Sequence, residues 1–130
     1  FNSAQDKAWL NELLHPLIRK TLFDQLAKSS SPYCILVAPL LIENGLDKLV
    51  DKVLVVDISE TIQIERTVNR DPSSAEEVKR IIASQIAREE RLKVADEIIN
   101  NEKTDLKLIQ QEVHQLHHKF ILLTQEKLNH

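Results

Sequence analysis

"VLVVDISETIQIERTVNRD", Val53 to Asp71, decides the fold. Its first half, in "KVLVVD" (52–57), is an unbroken apolar run with β-branched residues, the pattern of a strand buried on both faces. Ser59 then supplies an N-cap oxygen. The residues after it read as a helix ending near Arg70. Within that helix Arg66 and Arg70 stand four apart and share one face. Neither has a carboxylate four residues before it, because Ile62 and Arg66 occupy those places. The pair therefore calls for a negative partner from outside the helix.

Two other segments extend the pattern. "YCILVAP" (33–39) is a second continuous apolar run, and "DEIIN" (96–100) is a short third one. Helical stretches alternate with them. Strands apolar throughout and alternating with helices indicate an α/β architecture around a parallel sheet. Ligands of such sheets sit beyond the carboxyl ends of the strands. Those ends are "APLLIEN", "DISE" and "NNEK", and the site is expected there.

The remaining elements follow from capping and periodicity. Trp9, Leu10, Leu13, Leu14, Leu17, Ile18, Leu22 and Leu26 recur at helical spacing, with Pro16 predicting a break: one helix to about Leu14, another from Pro16. "SSSP" (29–32) is a turn, and Gly45 marks a helix end. "SSAEE" offers two overlapping capping boxes, Ser73 with Glu76 and Ser74 with Glu77, opening a helix from Ala75 to about Lys93. Thr104 is expected to cap a final helix with the stripe Leu106, Ile109, Val113, Leu116, Phe120 and Leu123.

Composition narrows the function. A chain of 130 residues suits one domain, and a net charge of -3 argues against a generally basic nucleic-acid surface. No run of apolar residues is long enough for a transmembrane helix, and "FNSAQDKAWL" does not read as a signal peptide. The single cysteine, Cys34, fits a reducing cytoplasm and reads as a small buried hydrophobe. The single glycine is the sharpest constraint. A loop that wraps phosphate with its backbone N–H groups needs several glycines, so this chain holds neither a GxxxxGK[ST] loop nor a GxGxxG turn. Any nucleotide site in it is partial.

Three constellations carry candidate chemistry. Arg66 and Arg70 present planar guanidinium forks suited to phosphate and to stacking on a base; the plain alternative is a solvated helix face. "REERLKVADEIINN" (88–101) gathers Arg88, Arg91 and Lys93, as a lid closing on phosphates would, but Glu89 and Glu90 can neutralise them. Glu43 stands just past a buried strand, where a carboxylate near substrate or magnesium would be placed. His114 and His118 share a helix face, but without a cysteine nearby we assign no metal site there.

Together, "WLNELLHPLIR", "APLLIENGL", "VLVVDISETIQIERTVNRD" and "SQIAREERLKVADEIINN", in that order, resemble the dephospho-CoA kinases. The resemblance implies a P-loop kinase-like parallel sheet flanked by helices, with three of the family's five strands in this chain and a helical lid segment. It divides the chain into a helical substrate-side region (1–32), core strands and a helix bearing the nucleotide-facing arginines (33–71), the lid (72–93), and a last strand with the C-terminal helix (94–130). It implies transfer of the ATP γ-phosphoryl group to the ribose 3′-hydroxyl of dephospho-CoA with magnesium, the last step of coenzyme A synthesis.

By the same resemblance the ATP-binding residues are Arg66 (on adenine), Arg70 (on phosphates), Arg88, Arg91 and Asn101. Those on the substrate side are His15, Pro39, Leu40 and Glu43. Asn100 stands where the family often has aspartate. The family's opening strand, its glycine-rich loop and its likely catalytic base have no counterpart here, so they are expected upstream of Phe1. The chain alone is expected to be inactive and to contain no catalytic residue. The family's P-loop strand lies between the 33–39 and 52–57 strands, so both edges facing it are expected to be open. Two other readings compete: another nucleotide kinase with the same arginine pair, and a non-catalytic remnant that binds coenzyme A-like ligands or a partner.

Overall fold

The computed structural model describes residues 4–71, 74–102 and 105–128. The chain forms two compact units, Phe1–Leu36 with Thr124–His130, and Val37–Leu123.

The first unit is dominated by helix α1 (Ala4–Ala27). It runs through Pro16 without the break that the sequence predicts. A proline inside a helix removes one backbone hydrogen bond and crowds the preceding turn. Here the neighbouring side chains are exposed, so water can serve the carbonyl left over. Thr21 Oγ1 donates to the Leu17 carbonyl one turn further on (3.0 Å). Helical apolar spacing has not buried the helix: Trp9 remains 65% exposed. Cys34, expected inside, is exposed as well, and its sulfur lies 3.9 Å from Ser31 Oγ.

The second unit holds the sheet. Strands β1 (Leu54–Asp57) and β2 (Glu97–Asn100) pair in parallel, with Leu54 opposite Glu97 and Asp57 opposite Asn100. The pairing is locked at both ends. Val53 N–H donates to Asp96 Oδ2 (2.7 Å) while Asp96 N–H donates to the Val53 carbonyl (2.8 Å). At the other end Asn101 N–H donates to the Asp57 carbonyl (2.8 Å). Between the strands run helices α2 (Glu60–Arg70), α3 (Ala75–Ala83) and α4 (Arg88–Val94), and α5 (Leu106–Leu128) follows β2. Lys119 of α5 pairs with Glu97 of β2.

This is the expected α/β class with parallel pairing, but the described sheet has two strands where three were expected. Residues 33–38 form no ladder. A strand is held by hydrogen bonds to a neighbour, and the ladder partner of β1 is β2 alone among the described residues. Each strand is buried on one face only, and the face differs between them. Val55 is 6% exposed and its sequence neighbour Val56 is 56% exposed. Ile99, opposite exposed Val56, is 6% exposed, whereas Ile98, opposite buried Val55, is 51% exposed. The core consists of Leu46, Val53, Val55, Val78 and Ile99.

Caps behave as the residue types dictate. Ser59 Oγ accepts from Ile62 N–H at the start of α2, and Ser74 Oγ accepts from Glu77 N–H at the start of α3. The alternative box at Ser73 and the cap at Thr104 lie outside the described residues. Gly45 closes the turn over 39–45 in the left-handed region (φ 73°). There Leu46 N–H donates to the Leu41 carbonyl and Gly45 N–H to that of Ile42, the paired bonds of a Schellman closure. Leu46, just past the glycine, is buried.

The single helix expected from Ala75 to Lys93 is two helices. Ser84 ends the first: its N–H is shared between the Arg80 and Ile81 carbonyls, and its Oγ donates to the latter (2.7 Å). Such back-bonding competes with the helical ladder. Ala87 is extended, and the chain re-enters a helix at Arg88.

Candidate functional site

Six polar residues gather at the carboxyl ends of the two strands: Asp57, Ser59, Arg66, Arg88, Asn101 and Glu102. The parallel register sets this up, because it brings "DISE" and "NNE" out of the sheet side by side.

Arg66, on the second turn of α2, reaches across to the loop after β2. Its Nη1 donates to the Asn101 carbonyl (2.7 Å) and its Nη2 to that of Glu102 (3.2 Å). The negative partner that the bare RxxxR called for is thus, for Arg66, a pair of backbone carbonyls. The same loop is tied back twice more. Ser59 N–H donates to Glu102 Oε1 (3.0 Å), and Glu102 N–H donates to Asn100 Oδ1 (2.9 Å). The Arg66 side chain itself is half-buried.

Arg88 occupies the other side of the cluster. Its Nε donates to Asp57 Oδ1 (2.8 Å) and its Nη2 to Oδ2 (2.7 Å), a two-point ion pair. Asp57 is 6% exposed, the one buried charged residue among those described. The hydrogen bonds from Arg88 hold its carboxyl below the usual range and outweigh the upward push of burial; the Ile58 N–H and the Arg91 charge act in the same direction as Arg88. The break between α3 and α4 makes this contact possible. An uninterrupted helix would carry Arg88 about 7.5 Å along its axis beyond Ala83, at 1.5 Å per residue.

The other sequence candidates are placed less pointedly. Arg91 donates from Nη2 to the Ile86 carbonyl (3.2 Å). Lys93 pairs with Glu90, the neutralisation the sequence allowed. Arg70 is exposed and forks onto its neighbour Asp71 (3.0 and 3.1 Å). Pro39, Leu40 and Glu43 lie in the turn closed by Gly45, and His15 lies on α1 in the other unit. On α5 the His114 and His118 rings meet edge to face at 5.1 Å.

The cluster thus brings together the sequence candidates Arg66, Arg88 and Asn101 with residues the sequence did not single out, Asp57 and Glu102. Asp57 ends a strand and was counted only as its last residue. Glu102 sits in a loop with no periodicity to mark it. The strand-end rule pointed to both, since they lie in "DISE" and "NNEK".

Comparison with known proteins shows the family. The family model for dephospho-CoA kinase matches residues 1–106. The chain is 55% identical over 124 residues to the dephospho-CoA kinase of Colwellia psychrerythraea, covering 95% of this chain and 61% of that protein. It is 48% identical over 124 residues to that of Idiomarina loihiensis, with the same two coverages. With the Vibrio vulnificus protein of the same name it shares 46% over 126 residues, 97% of this chain and 62% of the relative. The chain therefore spans about three fifths of the length of the curated relatives it matches. Among solved structures, TT1252 from Thermus thermophilus superposes with a TM-score of 0.75 at 24% identity, over 92% of this chain and 62% of that one. That likeness speaks to the fold.

Proposed function

The chain belongs to the dephospho-CoA kinase family, and from that premise we propose that the protein it forms part of transfers the terminal phosphoryl group of ATP to the ribose 3′-hydroxyl of dephospho-CoA, releasing ADP and coenzyme A. The observation that carries this reading is the cluster at the strand ends, where two arginines from different helices are fixed beside one loop.

The division of labour follows from what each guanidinium has left to offer. Arg66 spends its edge on two carbonyls, and a planar guanidinium so held suits stacking on the adenine; Asn101, whose backbone it holds, lies beside the same base. Arg88 keeps an outer edge free for phosphate, with Arg91 adding positive charge. Arg70 reaches phosphate by exchanging Asp71 for it, an easy exchange for an exposed pair. Phosphoryl transfer depends mainly on positioning and charge stabilisation, and these residues supply the half of it nearest the base and the lid. The assignments of His15, Pro39, Leu40 and Glu43 to dephospho-CoA are carried by the resemblance.

The glycine-rich phosphate loop and the base that takes the hydroxyl proton are placed in the part of the protein outside this chain. Magnesium belongs with them. Both oxygens of Asp57 are engaged by Arg88, and among the described residues no group of three His, Cys, Asp or Glu side chains is set to hold an ion. The described residues do not make a magnesium site. Among those residues no helix is long and apolar enough to cross a membrane; we place the enzyme in the cytoplasm, with its small-molecule substrates.

The test is direct. Full-length protein incubated with ATP and dephospho-CoA should yield ADP and a product heavier by one phosphate on the ribose 3′-oxygen. Phosphorylation of a different nucleoside or nucleotide, with dephospho-CoA untouched, would overturn the reading.

A further inference from the structure

The Asp57–Arg88 contact has a geometry that a surface ion pair lacks. Asp57 is at the last position of β1, anchored on both sides: its carbonyl accepts from Asn101 N–H, and its carboxylate is buried. Arg88 is the first residue of α4, and its side chain is 48% exposed. The carboxylate takes the Nε–Nη2 edge of the guanidinium. An arginine has five N–H donors in a rigid plane. Two are on Asp57; of the remaining three, one on Nη1 and one on Nη2 form a second fork on another edge, and the other Nη1 hydrogen lies along the third. Nη1 has no hydrogen-bond partner among the described residues. One edge is therefore fixed to the sheet while another faces solvent, a fork of the spacing that phosphate oxygens accept.

We propose that Asp57 is a positioning residue for the reaction: from the end of β1 it sets the plane of Arg88 so that its outer fork meets the phosphates of ATP. The carboxylate lowers the net attraction for an anion, and Glu102 nearby does so a little more. In return the guanidinium has little rotational freedom to lose when phosphate arrives, and a donor already aimed at developing charge costs no reorganisation at the moment of transfer. A free lid arginine would bind an anion without fixing its direction. The proposal rests on the reading of Arg88 as a phosphate ligand, and it goes beyond that reading in assigning the direction of Arg88 to a residue that never touches the nucleotide.

The experiment compares full-length wild type, D57N, R88A and the double variant by calorimetric ATP binding and by steady-state transfer. D57N should weaken ATP binding about tenfold and lower kcat at least as much, with KM for dephospho-CoA within about twofold. On the R88A background D57N should add almost nothing, because the residue acts through Arg88. D57E, which keeps the charge but moves it by one methylene, should recover part of the loss. If D57N does not fold, D57E with and without R88A makes the same comparison. A D57N effect that persists in full on the R88A background, or that raises KM for dephospho-CoA as strongly as it lowers kcat, overturns the proposal. Wild-type protein that binds ATP but leaves dephospho-CoA unmodified overturns the reaction instead, and the ATP affinities still judge Asp57. Wild-type protein that binds no ATP overturns both.

Discussion

Helix α1 in the first unit and the β1–β2 pair in the second are both apolar in sequence, yet they end in opposite environments. All the buried residues of the described structure, Leu46, Val53, Val55, Val78, Ile99 and Asp57, belong to the second unit. In α1 the side chains Trp9, Leu13, Leu17 and Ile18 meet the helical pattern and stay exposed. Backbone conformation is a local property that a dozen residues of the right spacing can secure. Burial requires a surface from elsewhere in the chain. The strands have it in the crossing helices, whereas no described residue of α1 is fully buried.

Substitutions in the 130-residue chain can break or sharpen that contrast. The largest effect is expected at Val55, where aspartate would place an unpaired charge in the core. V55D should cost on the order of 3 kcal/mol or more, enough to unfold the second unit in urea denaturation followed by circular dichroism. Removing the two carbonyl bonds with R66A should cost about 1–2 kcal/mol, since the donor is charged and half-buried. It should also speed hydrogen exchange at Asn101 and Glu102, which an unchanged exchange rate there would refute.

A smaller change is expected in acid. The Asp57 carboxyl titrates lower folded than unfolded, so its contribution is complete above the usual carboxyl range and is lost as the pH falls through the depressed value. A plot of stability against pH should therefore flatten at its acid end in D57N. S74A removes an N-cap and should cost about 1 kcal/mol. At the bottom of the order, L17A in exposed α1 should fall within about 0.5 kcal/mol of wild type. A loss as large as that of a core truncation would show that α1 is buried in solution.

Much of the site was legible without coordinates. The cap at Ser59, the length of α2 and the shared face of Arg66 and Arg70 follow from rules that span four residues. The strand-end rule located the cluster. What spacing could not supply is the partner each arginine takes. Arg66 and Arg70 are equivalent by periodicity, but one ties down the loop after β2 and the other pairs with the adjacent Asp71. Which one meets the loop depends on where α2 lies over the sheet.

The misses have the same origin. Pro16 was read as a break because local sterics disfavour it, and the helix tolerates it where solvent can satisfy the freed carbonyl. Residues 33–39 have strand composition, but a ladder needs a neighbour. The interruption at 84–87 comes from a serine hydroxyl competing for a carbonyl, a choice of rotamer that no pattern displays.

Residue order alone was enough for the α/β class, the caps at Ser59 and Ser74, the Gly45 turn and the kinase family, because each rests on short-range geometry or on motif order. Three-dimensional packing decided that Asp57 and Arg88, 31 positions apart, form one unit, that β1 and β2 bury opposite faces, and that Arg66 serves the loop. Those outcomes depend on which surfaces meet and exclude water, a property that belongs to the assembled elements and to none of them singly.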